Sequence, residues 1–241
     1  MRNKLEISII VPAYNEEYRI SKFLKKLISF SMINLKNYEI IIVNDGSTDN
    51  TKEIVYDLIK NDENIKLISY DENRGKGYAI LQGIINSAGD FILFMDADGS
   101  TAPEEIFRML KIRENYNYDI IIGTRIAEES NIMIPQPISR KLLSKFFNLY
   151  SNLLFKLKIN DLLCGFKGFK RDAALQIFKD LKSYRWEFDV EILYKARKKN
   201  FSIYQVPIRW RHKEGSKIKK SDPLFIFFNL FKLRLKLLRK K

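Results

Sequence analysis

The chain has 241 residues, 46% of them hydrophobic, with 43 Lys plus Arg against 29 Asp plus Glu and a formal net charge of +14. That apolar content excludes a disordered chain, and the length suits one large domain or one domain with a short appendage. A single cysteine, Cys164, and a single histidine, His212, exclude an intrachain disulfide and a metal site of clustered Cys and His, so any metal must sit on carboxylates.

Apolar runs rich in Ile and Val, at residues 7–11, 39–44, 66–70, 91–95 and 119–123, read as strands. The opening residues 1–4 lead straight into the first of them, too short a run for a signal segment. Between the strands, Ile20, Phe23, Leu24, Leu27 and Ile28 share one helical face, as do Ile54, Val55, Leu58 and Ile59. Thr101-Ala102-Pro103-Glu104 has the form of a capping box opening a further helix. This alternation predicts an α/β fold with a mostly parallel sheet covered by helices, and residues 1–125 as a nucleotide-binding half.

Residues 126–221 read as a second, acceptor-binding half of the same domain. Residues 139–157 predict a helix with an apolar stripe of Leu142, Phe146, Leu149, Tyr150, Leu153 and Leu157, a core face first and a membrane contact second. A strand at 165–170, helices at 172–178 and 187–198, and a strand at 203–210 follow. The tail, 222–241, interleaves Leu and Phe with Lys and Arg, as a basic amphipathic helix suited to an anionic membrane surface. No stretch approaches the roughly 20 apolar residues of a membrane-spanning helix, which predicts a peripheral protein on the cytoplasmic side of a membrane.

In open α/β sheets ligands collect beyond the carboxyl ends of the strands. The segments there are polar: Pro12-Ala13-Tyr14-Asn15-Glu16, then Asn44-Asp45-Gly46-Ser47-Thr48-Asp49, then Asp96-Ala97-Asp98-Gly99. Each alone also suits a turn with a helix cap. Asp96 and Asp98 stand apart, because carboxylates at i and i+2 of extended chain project the same way and repel unless a hard cation such as Mg²⁺ or Mn²⁺ joins them. Arg74-Gly75-Lys76-Gly77 precedes a helix and lets a cation and backbone N–H groups approach an anion. Arg125 and Arg140 stand where two guanidinium groups can face the same diphosphate.

In this order, with Gly123-Thr124-Arg125, these motifs resemble the family-two inverting glycosyltransferases and their nucleotide-diphospho-sugar transferase (GT-A, Rossmann-like) fold. Cys164-Gly165-Phe166-Lys167, Arg185-Trp186-Glu187-Phe188-Asp189-Val190-Glu191 and Ser216-Lys217-Ile218 resemble the polyprenol-phosphate branch, the dolichyl-phosphate β-glucosyltransferases above all. The resemblance implies that Pro12, Ala13, Tyr14, Glu16, Asp45 and Lys76 bind the nucleotide sugar, that Asp96 and Asp98 hold metal, and that Ala97 packs on the nucleotide. It also places Arg125, Arg211 and Lys217 on donor or acceptor phosphates, with Arg140 beside the acceptor. Many relatives have a carboxylate where this chain has Asn44. They usually carry an N-terminal membrane segment too, for which the basic tail is a substitute.

The implied reaction moves glucose from UDP-glucose onto a dolichyl or polyprenyl phosphate. A hydroxyl acceptor would need a base, for which Asp189 and Glu191 are the candidates. A phosphate monoester, with its second pKa of about 6, is already mostly dianionic at neutral pH and attacks unaided. Competing readings are a dolichyl-phosphate mannosyltransferase using GDP-mannose, a transferase with a soluble or glycan acceptor, and a basic nucleic-acid-binding protein. The last lacks a recognition module. A nicotinamide enzyme is disfavoured because no Gly-x-Gly-x-x-Gly follows the first strand.

Overall fold

The computed structural model describes residues 5–125, 132–134, 138–213 and 222–238. The strands are β1 (Ile7–Ala13), β2 (Tyr38–Asp45), β3 (Ile65–Tyr70), β4 (Phe91–Met95), β5 (Ile120–Thr124), β6 (Ile132–Ile134), β7 (Phe166–Lys170), β8 (Ile203–Pro207) and β9 (Trp210–Arg211). The helices are α1 (Ile20–Asn34), α2 (Thr51–Ile59), α3 (Lys76–Ile85), α4 (Glu105–Asn115), α5 (Ile138–Phe155), α6 (Arg171–Phe178), α7 (Phe188–Lys198) and α8 (Asp222–Leu238).

Among the described residues, seven strands form one sheet in the order β3-β2-β1-β4-β7-β5-β8, parallel except where β7 runs antiparallel between β4 and β5. Helices cover both faces, so the central strands are apolar throughout; all eight residues of β2 are buried. Successive side chains point to opposite faces and divide the interior in two. Ile10, Ile41, Val43 and Phe94 pack with Ala79 and Ile80 of α3, Ile177 of α6 and Ile192 of α7. Ile9, Val11, Ile40, Ile42 and Leu93 face Leu24 of α1, Val55 of α2 and Ile106 of α4.

Three sequence expectations change. Thr101 caps no helix: it bridges Trp210, while α4 begins at Glu105 with no side-chain cap bond. The strand expected at 203–210 divides, β8 joining the main sheet and β9 pairing with β6. Pro207, with no N–H to donate, stands at the break.

The third change concerns α5. Its buried side is Phe147, Asn148, Ser151 and Phe155, spaced at helical repeats, and Asn148 and Ser151 made that side look polar in the sequence. Leu142, Phe146, Leu149 and Leu153 of the expected core stripe point outward, with Leu153 78% exposed. Helix α8 packs on α5, burying Leu230 and Leu233 and leaving Phe228, Phe231, Leu235 and Leu238 exposed.

Candidate active site

The register aligns the strand ends: Ala13 lies opposite Asn44 and Asp45 opposite Tyr70, with β4 parallel beside β1. The loops after β1, β2, β3 and β4 therefore open on one edge of the sheet. Asn15, at φ 52°, turns the first loop so that its side chain accepts from Thr48 N (2.8 Å) while its own N–H donates to Ser47 Oγ (3.0 Å). Glu16 N donates to Thr51 Oγ1 (2.7 Å), and the Glu16 carboxylate holds Arg19 through Nε and Nη2. Pro12 and Ala13 end β1, with Tyr14 half-buried behind them. The expected nucleotide-binding segment is thus a braced wall rather than a free loop.

Asp45 is buried and accepts from Tyr70 Oη (2.8 Å), Asn73 Nδ2 (2.9 Å), Arg74 N (2.9 Å) and Gly75 N (2.9 Å). Its carboxylate organises the glycine turn that launches α3. Gly75 sits at φ 99°, where a Cβ would also meet Tyr184 O at 2.5 Å, so the turn requires glycine. Gly77 N donates to the same Tyr184 oxygen (2.8 Å). Sequence reading assigned Asp45 to the nucleotide; the structure places it under the turn before α3, at the ligand edge of the sheet.

The turn delivers Lys76, whose Nζ donates to Asp96 Oδ1 at 2.5 Å. Burial works against the Lys76 charge, yet Asp96, Asp189 and Asp98 outweigh it and hold its ammonium above the usual lysine range. Of these three carboxylates only Asp96 touches the Lys76 ammonium; the charges of Asp189 and Asp98 act on it from further away. Asp98 Oδ1 accepts from Ser100 N (2.8 Å), the turn-capping role open to any aspartate, and Ala97 between them is buried. Asp96 lies so close to Gly165 that a Cβ there would collide with its carboxylate. Arg211 reaches this edge from β9, its N–H donating to Ser100 O (3.0 Å).

Asp189 opens α7 and meets a residue that the sequence reading quoted within a family motif but gave no role. Lys167, fully buried on β7, donates to Asp189 Oδ1 (2.5 Å) and to the carbonyls of Leu162 (3.0 Å) and Cys164 (2.5 Å). Its position inside Gly165-Phe166-Lys167, mid-strand among apolar neighbours, was the available signal, since a lysine is almost never buried unpaired. Lys76 and Lys167 both approach the Phe94 ring, at 6.0 and 5.6 Å from its centroid. Glu191 has no capacity left: it accepts from Lys182 N, Ser183 N and Lys195 Nζ, each at 2.8 Å.

Arg125 is held by a second missed residue. Asp161, wholly buried, accepts from Arg125 N (3.0 Å), Nε (2.7 Å) and Nη2 (2.8 Å). Burial disfavours both charges, but each partner overrides it, raising Arg125 and lowering Asp161 from their ordinary values. The guanidinium also lies 5.3 Å from the Trp210 ring, so only part of it faces the site. Burial, and next the Asp161 charge, push the nearby Cys164 thiol up to about 12, which removes it as a nucleophile. The Arg140 side chain and all of Lys217 lie outside the described residues.

The family model described as Glycosyl transferase family 2 matches residues 8–178. A dolichyl-phosphate beta-glucosyltransferase of Dictyostelium discoideum is 39% identical over 228 residues, covering 90% of this chain and 69% of its own. The Homo sapiens protein of that name is 33% identical over 225 residues, covering 88% and 69%. Among solved structures, glucosyl-3-phosphoglycerate synthase from Mycobacterium tuberculosis with UDP superposes with a TM-score of 0.72 at 16% identity, covering 96% of this chain and 79% of that one. The same synthase with Mn²⁺, UDP-glucose and phosphoglyceric acid gives 0.69. These structures share the GT-A fold, and with the sequence matches they establish that the chain belongs to glycosyl transferase family 2 and is a glycosyltransferase.

Proposed function

We propose that this chain transfers glucose from UDP-glucose to the phosphate of a dolichyl or polyprenyl lipid, with inversion, at a membrane surface. The observation that carries the acceptor class is the engagement of both candidate bases. Glu191 is saturated by its own loop and Lys195, and Asp189 Oδ1 is taken by the buried Lys167 ammonium. A hydroxyl acceptor needs a base; a phosphate dianion does not. The names of the relatives that match this chain, dolichyl-phosphate beta-glucosyltransferases, support the same donor and acceptor.

The residues present fit Mg²⁺ or Mn²⁺. Asp96 and Asp98 offer hard carboxylate oxygens, and Asp96 already attracts a cation in Lys76. Among the described residues no three His, Cys, Asp or Glu side chains form a cage. That suits Mg²⁺, which takes one or two carboxylates and completes its shell with water and substrate phosphates. When bound, the ion neutralises charge on the departing nucleoside diphosphate. The chain's own part is placement: Asp45 sets the Gly75 turn, the turn aims Lys76, and Arg211 borders the same edge to receive an anionic group.

The membrane contact rests on helix faces. No helix among the described residues is long and apolar enough to cross a membrane. Instead Phe146, Leu149, Tyr150 and Leu153 of α5 join Phe227 of α8 around an apolar groove, and Lys145 of α5 and Lys232 and Lys236 of α8 are exposed on the same two helices. Helices that expose both apolar side chains and lysines suit an anionic interface. The test is a panel of radiolabelled UDP- and GDP-sugars offered with dolichyl or undecaprenyl phosphate and Mn²⁺. Label from UDP-glucose in the organic phase is the expected result; label only in water-soluble product would overturn the acceptor.

A further inference from the structure

A second basic cleft lies apart from Asp96 and Asp98. It has a volume of about 320 Å³ and is lined by Arg74 before α3, by residues of the segment between α6 and α7, and by α8. Five cations, Arg74, Lys182, Arg185, Lys232 and Lys236, line it with one carboxylate, Glu187. Glu187 is buried and accepts from Ser183 Oγ (2.8 Å). Among the described residues none of Lys182, Arg185, Lys232 and Lys236 is in an ion pair. Arg74 donates to Tyr78 Oη (2.9 Å), and Lys232 lies 4.4 Å from the Phe228 ring centroid.

Like charges gathered around one concavity repel, and a folded chain tolerates that best where an anion arrives to neutralise it. Arg supplies a planar fork and Lys a mobile point charge, the pair of donors suited to phosphate. The cleft also bridges parts of the molecule that matter elsewhere. Tyr184 on its wall accepts from Gly77 N, and Arg74 N donates to Asp45. Its α8 wall is continuous with the helix face bearing the exposed Phe231 and Leu235.

We propose that this cleft is a phosphate-binding site, distinct from the donor site, that takes the phosphate of an anionic lipid headgroup and thereby ties α8 to the glycine turn that aims Lys76. The chemistry, a phosphate mono- or diester, is common to a lipid headgroup and a free phosphate, so the experiment separates them. The protein with Lys182→Gln and Lys236→Gln is compared with a matched control, Lys198→Gln and Lys199→Gln, which removes the same charge outside the cleft. Each is sedimented with phosphatidylglycerol–phosphatidylcholine vesicles and separately titrated with inorganic phosphate by calorimetry.

The expected result is a loss of vesicle affinity of about tenfold or more in the cleft variant, with little change in the control. A selective loss with vesicles alone assigns the anion to a lipid headgroup. A selective loss with inorganic phosphate assigns it to a free phosphate and keeps the site. Equal losses in cleft and control variants, or no response of the wild type to either probe, overturn it. No sugar donor enters the experiment, so its failure leaves the transferase reading untouched.

Discussion

Lys76 Nζ lies 2.5 Å from Asp96 Oδ1, so the first carboxylate of the Asp96-Ala97-Asp98 turn is already paired with a cation supplied by the chain. A divalent ion arriving at Asp96 competes with that ammonium, and an arriving diphosphate gives the ammonium somewhere else to go. Lys76→Met separates the two effects. Mn²⁺ alone should bind the variant several-fold more tightly, because its competitor is gone. UDP in saturating Mn²⁺ should bind about tenfold more weakly, the worth of one hydrogen bond to a charged group. Calorimetry reads both; weaker Mn²⁺ binding in the variant would remove the competition.

Asp98 allows the metal role to be tested without disturbing the fold. Its Oδ1 accepts from Ser100 N, and the side-chain carbonyl of asparagine accepts the same bond. Asp98→Asn should therefore leave the thermal midpoint within a few degrees of wild type. Transfer should fall by about two orders of magnitude or more, since several kcal/mol of charge stabilisation rest on the ion. Near-normal turnover in Mn²⁺ would separate Asp98 from the chemistry.

Much of this was legible from residue order. The strands at 91–95 and 39–44 were visible because parallel strands buried on both faces read as unbroken apolar runs, and the polar turns after them marked the ligand edge. Pairings across long separations were not legible. Asp161 holds Arg125 from 36 residues away and Lys167 holds Asp189 from 22, and neither spacing has a local signature. The face of α5 was misread because its core side carries Asn148 and Ser151, with Asn148 accepting from Leu162 N, while its leucines lie outside.

The Arg125–Asp161 pair predicts a specific acid response. The folded-state value of Asp161 is lowered, so its contribution to stability is fully present above the unfolded value of about 3.9 and is lost as pH falls through the folded one. Asp161→Asn leaves the Arg125 guanidinium buried without its counter-charge, at a cost of about 3 kcal/mol or more near neutrality. Below about pH 4 the carboxyl protonates first in the unfolded chain, so the difference between the two proteins should narrow progressively until pH has fallen through the lowered folded value. Urea midpoints measured from neutral pH downward check this; a constant gap would place the variant's defect in packing instead.

The outward face of α5 and α8 yields the last prediction, and the burial pattern decides which variant tests it. Removing α8 would strip Leu230 and Leu233 from the core, so a truncated protein would lose vesicle binding merely by unfolding. Leu149 and Phe231, at 68% and 47% exposed, can be changed with little loss of packing. Leu149→Ser with Phe231→Ser should lower the urea midpoint only modestly, because Leu149 is mostly exposed and Phe231 is about half exposed. Binding to anionic vesicles should weaken by about tenfold or more, given roughly 1.5–3 kcal/mol for each large apolar side chain fully withdrawn from water and part of that at an interface. Addition of salt should then weaken the residual binding further, as the lysines left on the two helices become the main attraction. Vesicle affinity unchanged in the double variant would show that this face does not meet the bilayer.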